Sequence, residues 1–136
     1  MKERFSINRL LPGWDMALFF LAGSTACMAG VTDISQAELM QRIKAKHANL
    51  ILDVRSPQEY AEGHIPGAIN IPHNQIASRL AEIGTHKNKE IVLYCGSGGR
   101  VVAAANTLQA VGFSKLLHLD GDMNGWRNNG SLPIKK

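Results

Sequence analysis

Cysteine is nearly absent from this 136-residue sequence, where Cys27 and Cys95 are the only two. Without a C-x-x-C pair there is no basis for a thiolate zinc cage or a disulfide-dense scaffold, and at most one disulfide is left open. Charge is sparse, at 19% of residues, and the excess of 15 basic over 11 acidic side chains is scattered along the chain. No basic block is available to follow a nucleic-acid backbone, so no nucleic-acid partner is expected, only a modest preference for small anions. Long apolar runs are missing too: the apolar and small residues over 16–31 fall short of the ~20 that a spanning helix needs. Neither an internal repeat nor a low-complexity segment occurs, and the length suits one domain rather than two lobes around a cleft. What is abundant is core material, with 45% hydrophobic residues, so the chain should fold.

The N-terminus has its own pattern. Lys2, Arg4 and Arg9 precede the apolar run Met16-Ala17-Leu18-Phe19-Phe20-Leu21-Ala22, followed by Gly23-Ser24-Thr25-Ala26. Basic residues, a short greasy core and small residues in that order read as a secretory signal peptide over residues 1–29, cleaved after Ala29, with cleavage after Ala26 the nearby alternative. An uncleaved anchor, or a lipidated Cys27, would instead hold the protein at a membrane; Ser24 stands where a lipoprotein signal has leucine. The favoured reading is a single domain over residues 30–136, exported to the periplasm or an equivalent compartment, and monomeric. Cys95 is then the sole cysteine in an oxidising environment, which asks for a chemical reason.

Along the remaining chain, helices and strands alternate. Ser35-Gln36-Ala37-Glu38 is a capping box and predicts a helix over 36–46 with Leu39 and Ile43 on its buried stripe. A continuous apolar strand follows over 50–54. Ser56-Pro57-Gln58-Glu59 repeats the helix-start signal with proline at the first helical position, for a short helix ending near Gly63. A short strand over 68–71, an amphipathic stretch over 75–83 closed by Gly84, and a buried strand over 91–94 come next. An alanine-rich helix over 101–111, a last strand over 116–119 and a terminal helix over 123–129 complete the order. Short links between alternating elements indicate an α/β fold, a central parallel sheet with helices on both faces. Phe113 and Trp126 read as core.

Ligands in such sheets bind beyond the carboxyl ends of the strands. There the chain reads Cys95-Gly96-Ser97-Gly98-Gly99-Arg100, running directly from strand to helix. Three glycines let successive amide groups point into one bowl, and the positive end of the following helix adds to it. A cradle of this kind, with Arg100 beside it, favours negative charge on a cysteine sulfur at its rim and makes Cys95 a candidate nucleophile. The alternative is a buried strand-end cysteine with no chemistry. Ser97 is either a donor to the bound group or a small turn residue. Asp53 and Arg55 read as an ion pair fastening the loops, with Glu59 a second partner for Arg55. His64 is expected to bond backbone groups; His47, His73, His86 and His118 show no ligand spacing, so neither a metal nor another cofactor is expected.

These motifs together, Asp53-Val54-Arg55 with Glu59-Tyr60, Gly63-His64-Ile65-Pro66-Gly67-Ala68-Ile69-Asn70-Ile71-Pro72, Cys95 to Arg100, and Leu119-Asp120-Gly121 before Gly125-Trp126, resemble the rhodanese domain. The resemblance implies a rhodanese-like fold with about five strands. It implies a sulfurtransferase in which Cys95 takes the outer sulfur of a donor such as thiosulfate, or of another persulfide, and passes it to cyanide or a thiol. The amides of Gly96, Ser97, Gly98, Gly99 and Arg100 would cradle the persulfide. Phosphatases that share the fold use C-x5-R, one residue longer than the C-x4-R here, which favours sulfur over phosphate transfer. Two alternatives are a non-catalytic anion- or protein-binding module and a redox thiol sensor. Two positions depart from the family pattern. Val101 stands where a hydroxyl residue commonly follows the loop arginine, and Asp122 stands where a second glycine is usual. Should Asp122 face the mouth of the site, it would repel an anionic donor.

Overall fold

The computed structural model describes residues 30–47 and 50–136; the signal expected over residues 1–29 lies outside the described residues. Nine regular elements follow in order: β1 (Val31–Ile34), α1 (Gln36–Lys44), β2 (Leu50–Asp53), α2 (Pro57–Glu62), β3 (Ile69–Asn70), β4 (Ile91–Tyr94), α3 (Gly99–Ala110), β5 (Leu116–Leu119) and α4 (Asp122–Asn128). The strands form one sheet in the order β1-β5-β4-β2-β3, and every neighbouring pair is parallel. This is the α/β architecture expected, with one addition. β1 was not foreseen, because two of its four residues, Thr32 and Asp33, are polar and exposed on an edge.

Alternation along the strands divides the core. Leu52, Ile91, Leu93 and Leu116 pack with α3, Phe113, Ile76 and Ile83 on one face. Ile51, Val92, Tyr94 and Leu119 pack on the other with Leu39 of α1 and Met123 and Trp126 of α4. Side chains two apart share a face, so both sides of the sheet are covered and the strands read as continuous apolar runs. Val101 is fully buried among the first set, so its side chain fills core rather than facing the loop.

Helix starts follow the capping logic in part. Ser35 and Ser56 accept the N–H groups of Glu38 and Glu59 at 3.1 and 3.2 Å. The two glutamate carboxylates pair with arginines, Glu38 with Arg42 and Glu59 with Arg100. α1 stops before the expected 46, where Lys46 takes a left-handed φ of +56°. The stretch over 75–83 is not a helix. It runs as successive i→i+3 turns, such as Ser78 to Gln75 and Arg79 to Ile76, and a single 3₁₀ turn, Leu80–Glu82, with a second, Gly84–His86, just after it. Ile76 and Ile83 are still buried as the apolar pattern requires; the turns bring both to the core without helical pitch.

Candidate active site

The register of the sheet assembles the site. Asp53 lies opposite Tyr94, the last residue of β4, and His118 lies opposite Leu93. The loop after β4 therefore has the ends of β2 and β5 on its two sides.

Cys95 is a free thiol, 1% exposed, and its side chain belongs to the core face of α3. The loop curls over it. Gly98 has a φ of +109° as the residue capping α3, and its N–H donates to the Cys95 sulfur at 2.9 Å. A side chain at Gly98 would be strained by that φ and would also lie 3.2 Å from a carboxylate oxygen of Asp122. The first turn of α4 grips the loop from below: the N–H of Met123 donates to the Cys95 carbonyl at 2.8 Å and that of Asn124 to the Gly96 carbonyl at 3.1 Å. Ser97 and Gly99 are exposed on the outer rim, and Gly96 and Gly98 are half-buried. The start of α3 then presents N–H groups that have no intrahelical acceptor, the usual property of a helix N-terminus.

Arg100 closes one side of the bowl. Its guanidinium makes a two-pronged pair with Glu59, Nη1 to Oε1 at 2.7 Å and Nη2 to Oε2 at 3.0 Å. Its Nη2 is also close enough to the loop that a Cβ at Gly96 would lie 3.3 Å from it. The bond to Arg100 is the largest cause holding the Glu59 carboxyl down at about 2, against opposing desolvation. In return the Arg100 guanidinium is held above its ordinary value, first by Glu59 and to a smaller extent by Cys95. Glu59 thus bonds Arg100 rather than Arg55, on which it acts only through its charge. Arg55 bonds Asp53 through Nε and Nη2, the latter at 2.7 Å, and also donates to the Gly63 carbonyl at 2.8 Å. It lies over the ring of Tyr94, 5.6 Å from its centroid. Asn70, unnoticed in the sequence, ties the same corner by donating to the carbonyls of Asp53 and Arg55.

His64 does what its turn implied: its ring donates to the Tyr60 carbonyl at 2.9 Å and stacks on the Tyr60 ring. Asp122 does not face the mouth. It is buried beneath the loop, where Oδ1 accepts the Cys95 N–H at 3.0 Å and both oxygens lie 3.0 Å from Nε2 of His118. The repulsion of an anionic donor expected from a carboxylate at the mouth therefore has no such source. His118, set aside in the sequence for lack of ligand spacing, is the residue that reasoning missed; the available signal was an acid four positions after it in place of a glycine. Beside Arg100 an open cleft of about 220 Å3 runs between Ser56-Pro57 at the start of α2 and Pro72-His73-Asn74-Gln75 after β3. Among the described residues no cluster of three His, Cys, Asp or Glu side chains could hold a metal ion.

Comparison with known proteins agrees with this geometry. Residues 35–129 match the family model described as a rhodanese-like domain. A sulfurtransferase of Allochromatium vinosum is 36% identical over 104 residues, 76% of this chain and 94% of that protein. The thiosulfate:glutathione sulfurtransferase of Saccharomyces cerevisiae is 37% identical over 106 residues, 68% of this chain and 76% of that protein. The solved structure of a human single-domain sulfurtransferase is similar with a TM-score of 0.61 at 26% identity, covering 71% of this chain and 96% of that one.

Proposed function

This chain belongs to the rhodanese-like domain family and at the level of that family is a sulfurtransferase; from that premise we propose that it carries sulfane sulfur as a persulfide on Cys95. The observation that carries the reading is the Gly98 N–H donating to the Cys95 sulfur at 2.9 Å in a C-x4-R loop that opens α3. A donor group is already aimed at the atom where negative charge must rest. With thiosulfate as donor, the Cys95 thiolate attacks the outer sulfur, an S–S bond forms to Cys95, the S–S bond of thiosulfate breaks, and sulfite leaves with the electron pair. The persulfide anion carries one negative charge in place of the thiolate, and the amides of Gly96, Ser97, Gly98, Gly99 and Arg100 receive it. An acceptor anion, cyanide or a thiolate, then attacks the outer sulfur, and Cys95 leaves as thiolate.

Arg100 attracts the anionic donor, and its pair with Glu59 moderates that attraction. A thiol acceptor is supported by the yeast relative's name and by the cleft beside Arg100, whose volume of about 220 Å3 admits a small thiol. Asp53 and Arg55 act as supports. The basic, apolar and small-residue order of residues 1–29 supports export to the periplasm, which N-terminal sequencing of the secreted protein tests.

The chemistry is tested by incubating the full chain with thiosulfate and measuring intact mass before and after cyanide. One added sulfur that cyanide removes, absent in Cys95→Ser, is the expected result. A wild-type chain that gains no cyanide-labile sulfur from thiosulfate or from a persulfide donor would sink the reading.

A further inference from the structure

Asp122 is an unfavourable choice on backbone grounds alone. Its φ is +53°, and the only other described non-glycine residue with a positive φ is Lys46. Glycine would adopt that conformation without strain. The carboxylate is also buried, where an unpaired charge is costly. Both penalties are offset by its bonds: the Cys95 N–H on one side and the His118 ring on the other. The Cα of Gly98 sits directly over the pair, since a Cβ there would lie 3.2 Å from Asp122 Oδ2 and 3.5 Å from Cε1 of His118. The peptide of Cys95 and the amide that meets its sulfur thus both rest on one acid–imidazole unit.

We propose that Asp122 and His118 are positioning residues for the Cys95 loop: Asp122 fixes the Cys95 peptide by accepting its N–H, and protonated His118 balances the carboxylate's charge beneath an anionic persulfide. The catalytic part rests on the persulfide reading; the coupling of the pair to the loop does not. The groups facing His118 are all acidic: Asp122 at the start of α4, Asp33 of β1 with Oδ1 3.7 Å from Nδ1, and Asp120 in the turn before α4. The Asp122 bond is the largest cause holding the imidazole above its ordinary value, and desolvation opposes it. As pH rises through that raised value His118 loses its proton, the Asp122 charge is left unbalanced under the loop, and capture of an anionic donor weakens.

The test is kcat/KM for thiosulfate with the full chain from about pH 5 to about pH 9, the span of histidine titration. In a two-stroke scheme this parameter reports the loading step alone. Wild type is expected to lose at least about fivefold on the basic side, the least that one unit charge contributes at close range even when fully solvated, because Asp122 is buried. His118→Gln keeps a neutral donor to Asp122; it should lack that limb and remain at the lower level. Asp122→Asn keeps an acceptor for the Cys95 N–H without the charge, and should hold the upper level at all pH. Asp122→Gly relieves the backbone and removes the acceptor, and should lower kcat throughout. An unchanged limb in His118→Gln overturns the proposal. An independent readout is the amide resonances of Cys95 and Gly98, which should follow the His118 ring titration in wild type and stand still in His118→Gln. Resonances that ignore His118 overturn the coupling even in an active protein. Resonances that follow it in a chain that loads no sulfur uphold the coupling and remove only the sulfur chemistry.

Discussion

Two arginine–carboxylate pairs stand at the carboxyl-end side of the sheet, alike in chemistry and opposite in setting. Asp53 and Arg55 are two residues apart, and their side chains are 0% and 3% exposed. Glu59 and Arg100 are 41 residues apart, with 37% and 33% of their side chains exposed. The buried pair has its remaining polar capacity taken up by the protein, through the Gly63 carbonyl and the Arg55 backbone N–H. The open pair faces solvent beside the cleft, with its arginine against the cysteine loop. Burial makes the first a fastener, whose value appears when one partner is removed. Exposure leaves the second nearly neutral for stability and free to act on whatever anion enters.

The contrast breaks most visibly at Asp53. Asp53→Ala leaves the Arg55 guanidinium buried without its acid, and denaturant unfolding should show a loss of about 3–5 kcal/mol. Asp53→Leu combined with Arg55→Met should recover most of it, because no charge is then stranded; a cost below about 1 kcal/mol for Asp53→Ala would make the two pairs equivalent. Next in size is Arg100→Ala. Stability should change by less than about 1 kcal/mol, while kcat/KM for thiosulfate falls about ten- to a hundredfold, the worth of one hydrogen bond to a charged group. Parallel losses in stability and activity would show that Arg100 is a fastener too.

Glu59→Gln sharpens the comparison with a smaller effect of the opposite sign. Releasing Arg100 should lower KM for thiosulfate by roughly two- to fivefold, the worth of one partly screened charge, and steady-state kinetics showing a higher KM would reverse the role assigned to Glu59. The smallest effect is in acid. The folded value of Glu59, about 2, lies below the ordinary 4.5. The pair's stabilisation is therefore complete above 4.5, declines as pH falls between those values, and is gone below about 2. Because the carboxylate is more than a third exposed, that contribution is below about 1 kcal/mol and should shrink further in salt. Wild type and Glu59→Gln compared by denaturation at graded pH would show it, and a difference that persists unchanged at the acid end would contradict it.

What was legible in the sequence was mostly local in origin. The apolar strands β2, β4 and β5, the serine caps of α1 and α2, and the passage from strand through glycines to helix at Cys95 all depend on neighbours a few residues away. The same holds for Asp53 with Arg55 and for His64 bonding a backbone group. β1 was missed because an edge strand of four residues with two exposed polar ones carries no alternation long enough to read. The stretch over 75–83 was legible as amphipathic but not in its conformation, because its apolar spacing serves two buried isoleucines equally well from a helix or from a string of turns. Glu59 was read as a second partner of Arg55 and bonds Arg100 instead, while the side of the loop on which Asp122 lies was left open.

The sequence by itself determined the α/β alternation and, through its motifs, the resemblance to the rhodanese domain, which makes Cys95 the candidate nucleophile. The alternation follows from backbone conformational preference and apolar period, which act over one or two turns of chain; the resemblance is carried by the motif residues themselves. Only the tertiary structure decided that Glu59 meets Arg100 and that Asp122, 27 residues beyond Cys95, holds its amide and the ring of His118. Those partnerships depend on which strand ends the parallel register brings side by side, and on which carboxylates the packing leaves dry enough to need a partner.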